Sequence, residues 1–107
     1  MFRRRKELFL YGPFLEWLEN LKDRRARAII HNRLDRLTYG LAGKCEPVGN
    51  GIFELKIFYG PGYRIYFCEE REDTVVLLWG GDKSTQKRDI KKAQDLSMGY
   101  RRYKKFS

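Results

Sequence analysis

The feature that most constrains this chain is a pair of alternating segments set across a glycine-proline-glycine triplet. In residues 52–59, Phe53, Leu55, Ile57 and Tyr59 alternate with Glu54, Lys56 and Phe58. In residues 63–68, Tyr63, Ile65 and Phe67 alternate with Arg64, Tyr66 and Cys68. Successive side chains of a strand point to opposite faces, so a period of two marks a half-buried strand. Gly60-Pro61-Gly62 is a turn by composition, which makes the pair a hairpin. Setting Tyr59 opposite Tyr63 places Phe58 against Arg64, Lys56 against Tyr66 and Glu54 against Cys68. One face then carries Phe53, Leu55, Ile57, Tyr63, Ile65 and Phe67. The other carries Glu54, Lys56, Arg64 and Tyr66. A slip of one residue would mix the two sets, and burial opposes it.

The remaining elements arrange themselves around that hairpin. Residues 6–11 read as a short strand stopped by Gly12-Pro13, with Pro13 suited to the first position of a helix. Phe14, Trp17, Leu18 and Leu21 repeat at helical spacing. Asp23 is a candidate N-cap for a second helix to about Tyr39, with Ala26, Ile30, Leu34 and Leu37 inward and Arg24, Arg25, Arg27, Arg33 and Arg36 outward. Gly40 offers a left-handed stop, and the glycine-rich segment 40–51 reads as a loop. Residues 74–79 form a nearly continuous apolar run, as in a well-covered strand, and Gly80-Gly81 is expected to break it. Ser84 or Thr85 can cap a last helix to about Ser97, with Gly99 ending it. The order β-α-α-β-β-β-α, with short turns between the later strands, predicts an α+β domain. Its sheet is expected to be mainly antiparallel, with the helices packed on one face. The boundaries read as one domain over residues 1–97 and a basic aromatic tail over 98–107.

A length of 107 residues suits one domain. The longest apolar stretches fall well short of the ~20 residues a membrane span needs, and the basic start followed by Gly12-Pro13 is no secretory signal. Cys45 and Cys68 are the only cysteines. They make neither a disulfide framework nor a metal clip, which points to reduced thiols and a cytoplasmic protein. The net charge of +9 is unevenly placed. Residues 83–107 hold nine basic and two acidic residues, whereas residues 7–82 hold ten basic and twelve acidic. Excess positive charge at the two ends points to a polyanion partner such as nucleic acid.

The polar hairpin face is where chemistry can sit. Glu54, Lys56, Arg64 and Tyr66 would lie close together, with Lys83, Gln86 and Lys87 able to reach the rim. Cations can hold a phosphodiester and stabilise its developing charge. Either a lysine or Glu54 can take a proton from a ribose 2′-hydroxyl, and a tyrosine can stack on a base. Mixed charges are also what an ordinary solvated strand face carries. His31 is the only histidine, which excludes a histidine-pair ribonuclease. No His/Cys/Asp cluster has metal-ligand spacing, so no metal and no cofactor are expected. Ser84 lacks a nucleophile-elbow context, and Gly80-Gly81-Asp82-Lys83-Ser84-Thr85 lacks phosphate-loop spacing. Trp17 and Trp79 read as core-filling residues.

Three ordered blocks carry a family resemblance. Residues 13–28, the hairpin 51–67 and the segment 77–86 resemble toxins of the RelE/ParE superfamily in its HigB-like, addiction-module branch. The match covers about 85 residues and stops before the tail. The resemblance implies a cognate antitoxin and a RelE/ParE-type fold. Many relatives cleave mRNA in the ribosomal A site without a metal. By position, Lys56 and Arg64 match strand residues that activate the 2′-hydroxyl and hold the phosphate. Lys83 loosely matches a basic residue that assists the leaving group, and Glu54 and Tyr66 flank them. Tyr66, Arg24, Arg25, Arg27, Gln86 and Lys87 become candidate RNA contacts on mRNA and the 70S ribosome. The toxin–antitoxin complex would be a higher oligomer on operator DNA. A non-enzymatic gyrase inhibitor of the ParE type and a non-toxic RNA-binding domain remain open.

Overall fold

The computed structural model describes residues 5–105. In chain order the elements are β1 (Glu7–Leu10), α1 (Gly12–Glu19), α2 (Arg24–Thr38), β2 (Cys45–Pro47), β3 (Ile52–Ile57), β4 (Tyr63–Arg71) and β5 (Thr74–Asp82). A 3₁₀ turn (Lys83–Thr85) and α3 (Gln86–Lys105) follow. The five strands form one sheet of order β1-β5-β4-β3-β2. β1 runs parallel to β5, and the other pairs are antiparallel. The α1–α2 hairpin carries the chain from one sheet edge to the other.

Local chemistry explains most of these elements. Pro13 opens α1, where its missing N–H costs nothing. Asp23 caps α2 by accepting from the Ala26 N–H at 3.1 Å. Gly40, with φ at 75°, turns the chain out of α2, and the Leu41 N–H returns to the Arg36 carbonyl. The expected loop 40–51 contains β2, which is three residues long. A strand that short shows no periodicity, and Pro47 is tolerated because β2 is an edge.

The helices do not all pack on one face, as the sequence led us to expect. α1 and α2 cover the face of Leu55, Ile57, Ile65, Phe67, Val75 and Leu77, contributing Phe14, Leu18, Ile30 and Leu34. α3 covers the opposite face, where Ala93 and Tyr100 pack on Ile52, Tyr66, Cys68, Val76 and Leu78. The face expected to be solvated is itself a second core. Its apolar members on β3, β4 and β5 give the reason: the polar residues near the hairpin turn occupy only one end of that face.

The hairpin register also differs by two residues. Ile57 pairs with Tyr63, Lys56 with Arg64, Glu54 with Tyr66 and Ile52 with Cys68. A shift of two preserves which residues share a face, so the two sets survive with new partners. The loop is longer than the glycine-proline-glycine triplet because Phe58 and Tyr59 leave the ladder. The Tyr59 N–H turns back to the Ile57 carbonyl, and the Gly62 N–H closes onto the Tyr59 carbonyl.

Gly80-Gly81 does not break β5, which runs on to Asp82. These glycines answer to space. A Cβ on Gly80 would run into the Trp17 ring, and one on Gly81 would run into Asp89 Oδ2. Bare backbone lets α1 press on one side of the strand and α3 on the other. α3 in turn does not end near Ser97 or Gly99. It continues to Lys105, so residues 98–105 are helix. Tyr100 holds this extension: its ring packs edge-on against Tyr11 at 5.3 Å, and its hydroxyl donates to Glu70. Residues 106–107 lie outside the described residues, as do Arg3 and Arg4 of the basic start.

Candidate functional site

On the α3 face, the hairpin presents three rows: Ile52 with Cys68, Glu54 with Tyr66, and Lys56 with Arg64. α3 starts above the middle row, where Gln86 reaches Glu54, and runs away from the turn toward Cys68 and Glu70. The row nearest the turn is therefore left at the edge of α3. Lys56 and Arg64 are directly opposed there, which puts two cations on one face within a cross-strand spacing.

Glu54 organises the site from beneath. It is 1% exposed. Its Oε2 accepts from the Tyr66 hydroxyl at 3.0 Å and from Gln86 Nε2 at 2.9 Å. Its Oε1 accepts from Arg64 Nη1 at 3.4 Å and from Gln86 Nε2 at 3.3 Å. Two strands and the first residue of α3 thus converge on one carboxylate. Burial pushes the Tyr66 hydroxyl well above the usual phenol range, and the adjacent Glu54 charge and hydrogen bond add to the shift. Tyr66 is consequently a neutral donor.

Arg64 is mostly covered, with a side chain 12% exposed, and its Nε is buried without a hydrogen-bond partner. A buried unpaired donor costs roughly 1–3 kcal/mol, more when the group is charged. Lys56 pairs with Glu46 of β2 at 3.3 Å. The backbone of Lys56 is pinned from the other face, because Arg33 Nη1 donates to the Lys56 carbonyl at 3.0 Å while its Nε and Nη2 hold the Ala42 carbonyl. Burial lowers the Arg33 guanidinium from its ordinary value.

The 3₁₀ turn and the start of α3 form the rim. Asp82 caps the turn through the Ser84 N–H at 2.8 Å. Lys83, Ser84, Thr85, Gln86, Lys87 and Arg88 line an open depression there. Lys83 Cβ sits beside Gly62, so this rim touches the hairpin turn. Asp89 is buried and fastens the first turn of α3 to β5, accepting from Trp79 Nε1 at 3.0 Å and from the Thr85 hydroxyl. The outer side of α3 then carries Lys87, Arg88, Lys91, Arg102 and Lys105, all exposed. A 20-residue helix is about 30 Å long, so this ridge extends well beyond the hairpin.

Several expected site residues fall elsewhere. Tyr66 is 0% exposed, so its ring has no face to offer a base. Glu54 is sealed in, with both carboxylate oxygens held by protein donors, and not set on an open strand face. Both corrections have one cause: α3 lies on the face expected to be open. Arg24, Arg25 and Arg27 lie on α2, across the sheet from Glu54 and Arg64. Of these, Arg25 reaches the hairpin turn, over the Tyr59 ring at 5.9 Å. Arg33, read from sequence as a solvent-facing arginine, is a half-buried strut; its signal was its place between Ile30 and Leu37 at the border of the apolar stripe. Asp89 was missed altogether, although it precedes Ala93, Ser97 and Tyr100 at helical spacing on the covered side of α3.

No solved structure matches the chain. A curated protein of Haemophilus influenzae, itself described only as uncharacterised, is 49% identical over 84 residues, covering 78% of this chain and 85% of that protein. Residues 16–104 match the model of a family described as phage-derived protein Gp49-like (DUF891). That match takes in the last turn of α1, all of α2, the hairpin with Glu54, Lys56 and Arg64, and nearly all of α3, including the segment beyond Ser97. The elements that build the site are thus the ones the family model spans, and the chain belongs to the Gp49-like family of phage-derived proteins.

Proposed function

We propose that this protein is the toxin of a type II toxin–antitoxin pair, and that it is a metal-independent endoribonuclease acting on mRNA at the ribosome. The observation that carries the reading is the opposed pair Lys56 and Arg64 at the turn end of the α3 face, partly covered, with Lys83 against the same turn at Gly62. Family membership and the resemblance to HigB-like toxins support it. In this reading Lys56, released from Glu46 and present as the neutral amine, takes the proton of a ribose 2′-hydroxyl. The freed oxygen attacks the adjacent phosphorus, and the bond to the 5′-oxygen breaks. Arg64 stabilises the charge growing on the non-bridging oxygens, and Lys83, as the ammonium, gives a proton to the leaving 5′-oxygen. The products are a 2′,3′-cyclic phosphate and a 5′-hydroxyl end. N–H groups at a helix start favour an anion in the same place. The basic ridge of α3 supplies phosphate contacts along ribosomal RNA, with the steep salt dependence such contacts bring. The cognate antitoxin would silence the protein by covering this end.

The test is induction of the wild type and a Lys56→Ala/Arg64→Ala variant in bacterial cells, with mRNA 5′ ends mapped. Growth arrest with new cuts in translated messages, insensitive to EDTA in extracts and absent in the variant, is expected. Losing one such charge-stabilising donor typically costs on the order of 10²–10³ in rate. Arrest without cuts would refute the ribonuclease and leave inhibition by binding alone, as in a gyrase inhibitor.

A further inference from the structure

We infer that Glu54, Tyr66 and Gln86 are positioning residues that act through Arg64, and that Glu54 is not the base of the reaction. This rests on the ribonuclease reading and names the division of labour within that site.

A general base needs a free lone pair within reach of the proton it takes. Glu54 is 1% exposed, and four hydrogen bonds from Arg64, Tyr66 and Gln86 occupy both its oxygens. What it does instead follows from guanidinium geometry. An arginine presents its donors as a rigid planar fork, so fixing one nitrogen fixes the others. Glu54 engages Nη1. That leaves the edge formed by Nε and Nη2, the edge suited to two parallel hydrogen bonds to a phosphate. On that edge Nε is buried without a partner within the protein, so it gains a hydrogen bond only where an incoming oxyanion displaces what covers it. Tyr66 and Gln86 keep the carboxylate from turning. Gln86 also makes the aim of Arg64 depend on where α3 begins, and Asp89, one turn later, locks that start to Trp79. Such a network puts the hydrogen-bonding groups in place before substrate arrives, which is where catalytic electrostatics gains most.

The experiment combines single-turnover cleavage of an RNA probe with ¹⁵N spectra of the arginine side chains, on the full chain, for the wild type and Glu54→Gln, Tyr66→Phe and Gln86→Ala. Glu54→Gln is expected to lower the cleavage rate about 10–100-fold while keeping the acidic limb of the pH–rate profile, because the base is untouched. Tyr66→Phe and Gln86→Ala should each cost less, and should add little in the Glu54→Gln background, as members of one network do. In the spectra, the wild type should show hindered rotation of the Arg64 guanidinium, and Glu54→Gln should release it. Loss of the acidic limb in Glu54→Gln would make Glu54 the base and overturn the inference. So would an Arg64 signal indifferent to Glu54→Gln. Gln86→Ala, at a half-buried site, carries the same two readouts should the buried substitution fail to fold. If the wild type cuts no RNA, the ribonuclease reading falls, and the Arg64 signal still decides whether the network holds the guanidinium.

Discussion

The two faces of the sheet are built on different principles. Against α1 and α2 the buried residues are aliphatic and aromatic side chains that ask only for close packing. Against α3 the burial includes Glu54, Asp89 and Ser97, three of the four buried polar or charged residues among the described residues. It also includes two tyrosines whose hydroxyls donate to carboxylates. Apolar contacts are non-directional and tolerate small shifts, whereas a buried carboxylate is stable only when every donor is in place. Buried ion pairs rarely improve on packed hydrocarbon for stability, so a face that spends burial on them gains something other than stability. Here the gain is direction: the polar contacts fix where α3 starts and where Arg64 points.

The contrast can be broken most forcefully from the apolar side. Ile65→Ala should cost about 2–5 kcal/mol of unfolding free energy, measured by denaturant titration, because it empties a site where α1, α2 and the sheet meet. If Ile65 tolerated this with under about 1 kcal/mol lost, the α1/α2 face would not be the stabilising core. Next in size is Gly81→Ala. Its Cβ would meet the Asp89 carboxylate, so Asp89 must release Trp79 and Thr85 or the strand must move. We expect about 1–3 kcal/mol of destabilisation with a shift of the Trp79 fluorescence. An unchanged emission spectrum would mean that α3 and β5 part without disturbing the indole. Smaller again is Tyr100→Phe, which keeps the ring contacts and removes only the bond to Glu70. About 0.5–1.5 kcal/mol is expected, and truncation after Ser97 should cost clearly more, since it removes the ring as well. Equal losses would show that the hydroxyl alone holds the end of α3.

Much of this architecture could be read from periodicity. Alternation located β3 and β4, and the helical spacing of Phe14, Leu18, Ile30 and Leu34 located α1, α2 and their covered sides. The parity of the hairpin also brought Glu54, Lys56, Arg64 and Tyr66 to one face correctly, even though the register was two residues off. Parity is insensitive to a shift of two, and nothing in Gly60-Pro61-Gly62 says that Phe58 and Tyr59 leave the ladder. The position of α3 was not legible for a different reason. A helix with Ile90, Ala93 and Leu96 on one side announces that it packs, but not on which face. Ile52, Cys68, Val76 and Leu78 were the clue, since an apolar row on the supposed solvent face has to be covered. Gly80-Gly81 misled because glycine signals both turns and close approach, and only the ring of Trp17 and the carboxylate of Asp89 distinguish the two. The roles of Lys56 and Arg64 rest on resemblance and placement, and the induction experiment addresses them.

The weakest expected effect separates the two faces by pH. Asp23 caps α2 on the apolar side. The Ala26 N–H holds its carboxyl below the usual carboxylate range, with the Tyr59 hydroxyl bond acting in the same direction. A group whose folded pKa is depressed contributes stability above its unfolded value, near 4, and loses that contribution as pH falls through the folded value. The thermal midpoint of Asp23→Ala should therefore lie slightly below that of the wild type at neutral pH, and the gap should narrow in acid. The cap sits at the exposed start of α2 while Glu54 lies sealed beneath α3, so the narrowing should occur without any change in the hindered rotation of Arg64. A gap that held constant from pH 7 to the acid limit would show that the Asp23 carboxylate does not cap α2 through its charge. A simultaneous release of Arg64 would show that the two faces are coupled through the hairpin turn, where Tyr59 meets Asp23 on one side and Lys83 meets Gly62 on the other.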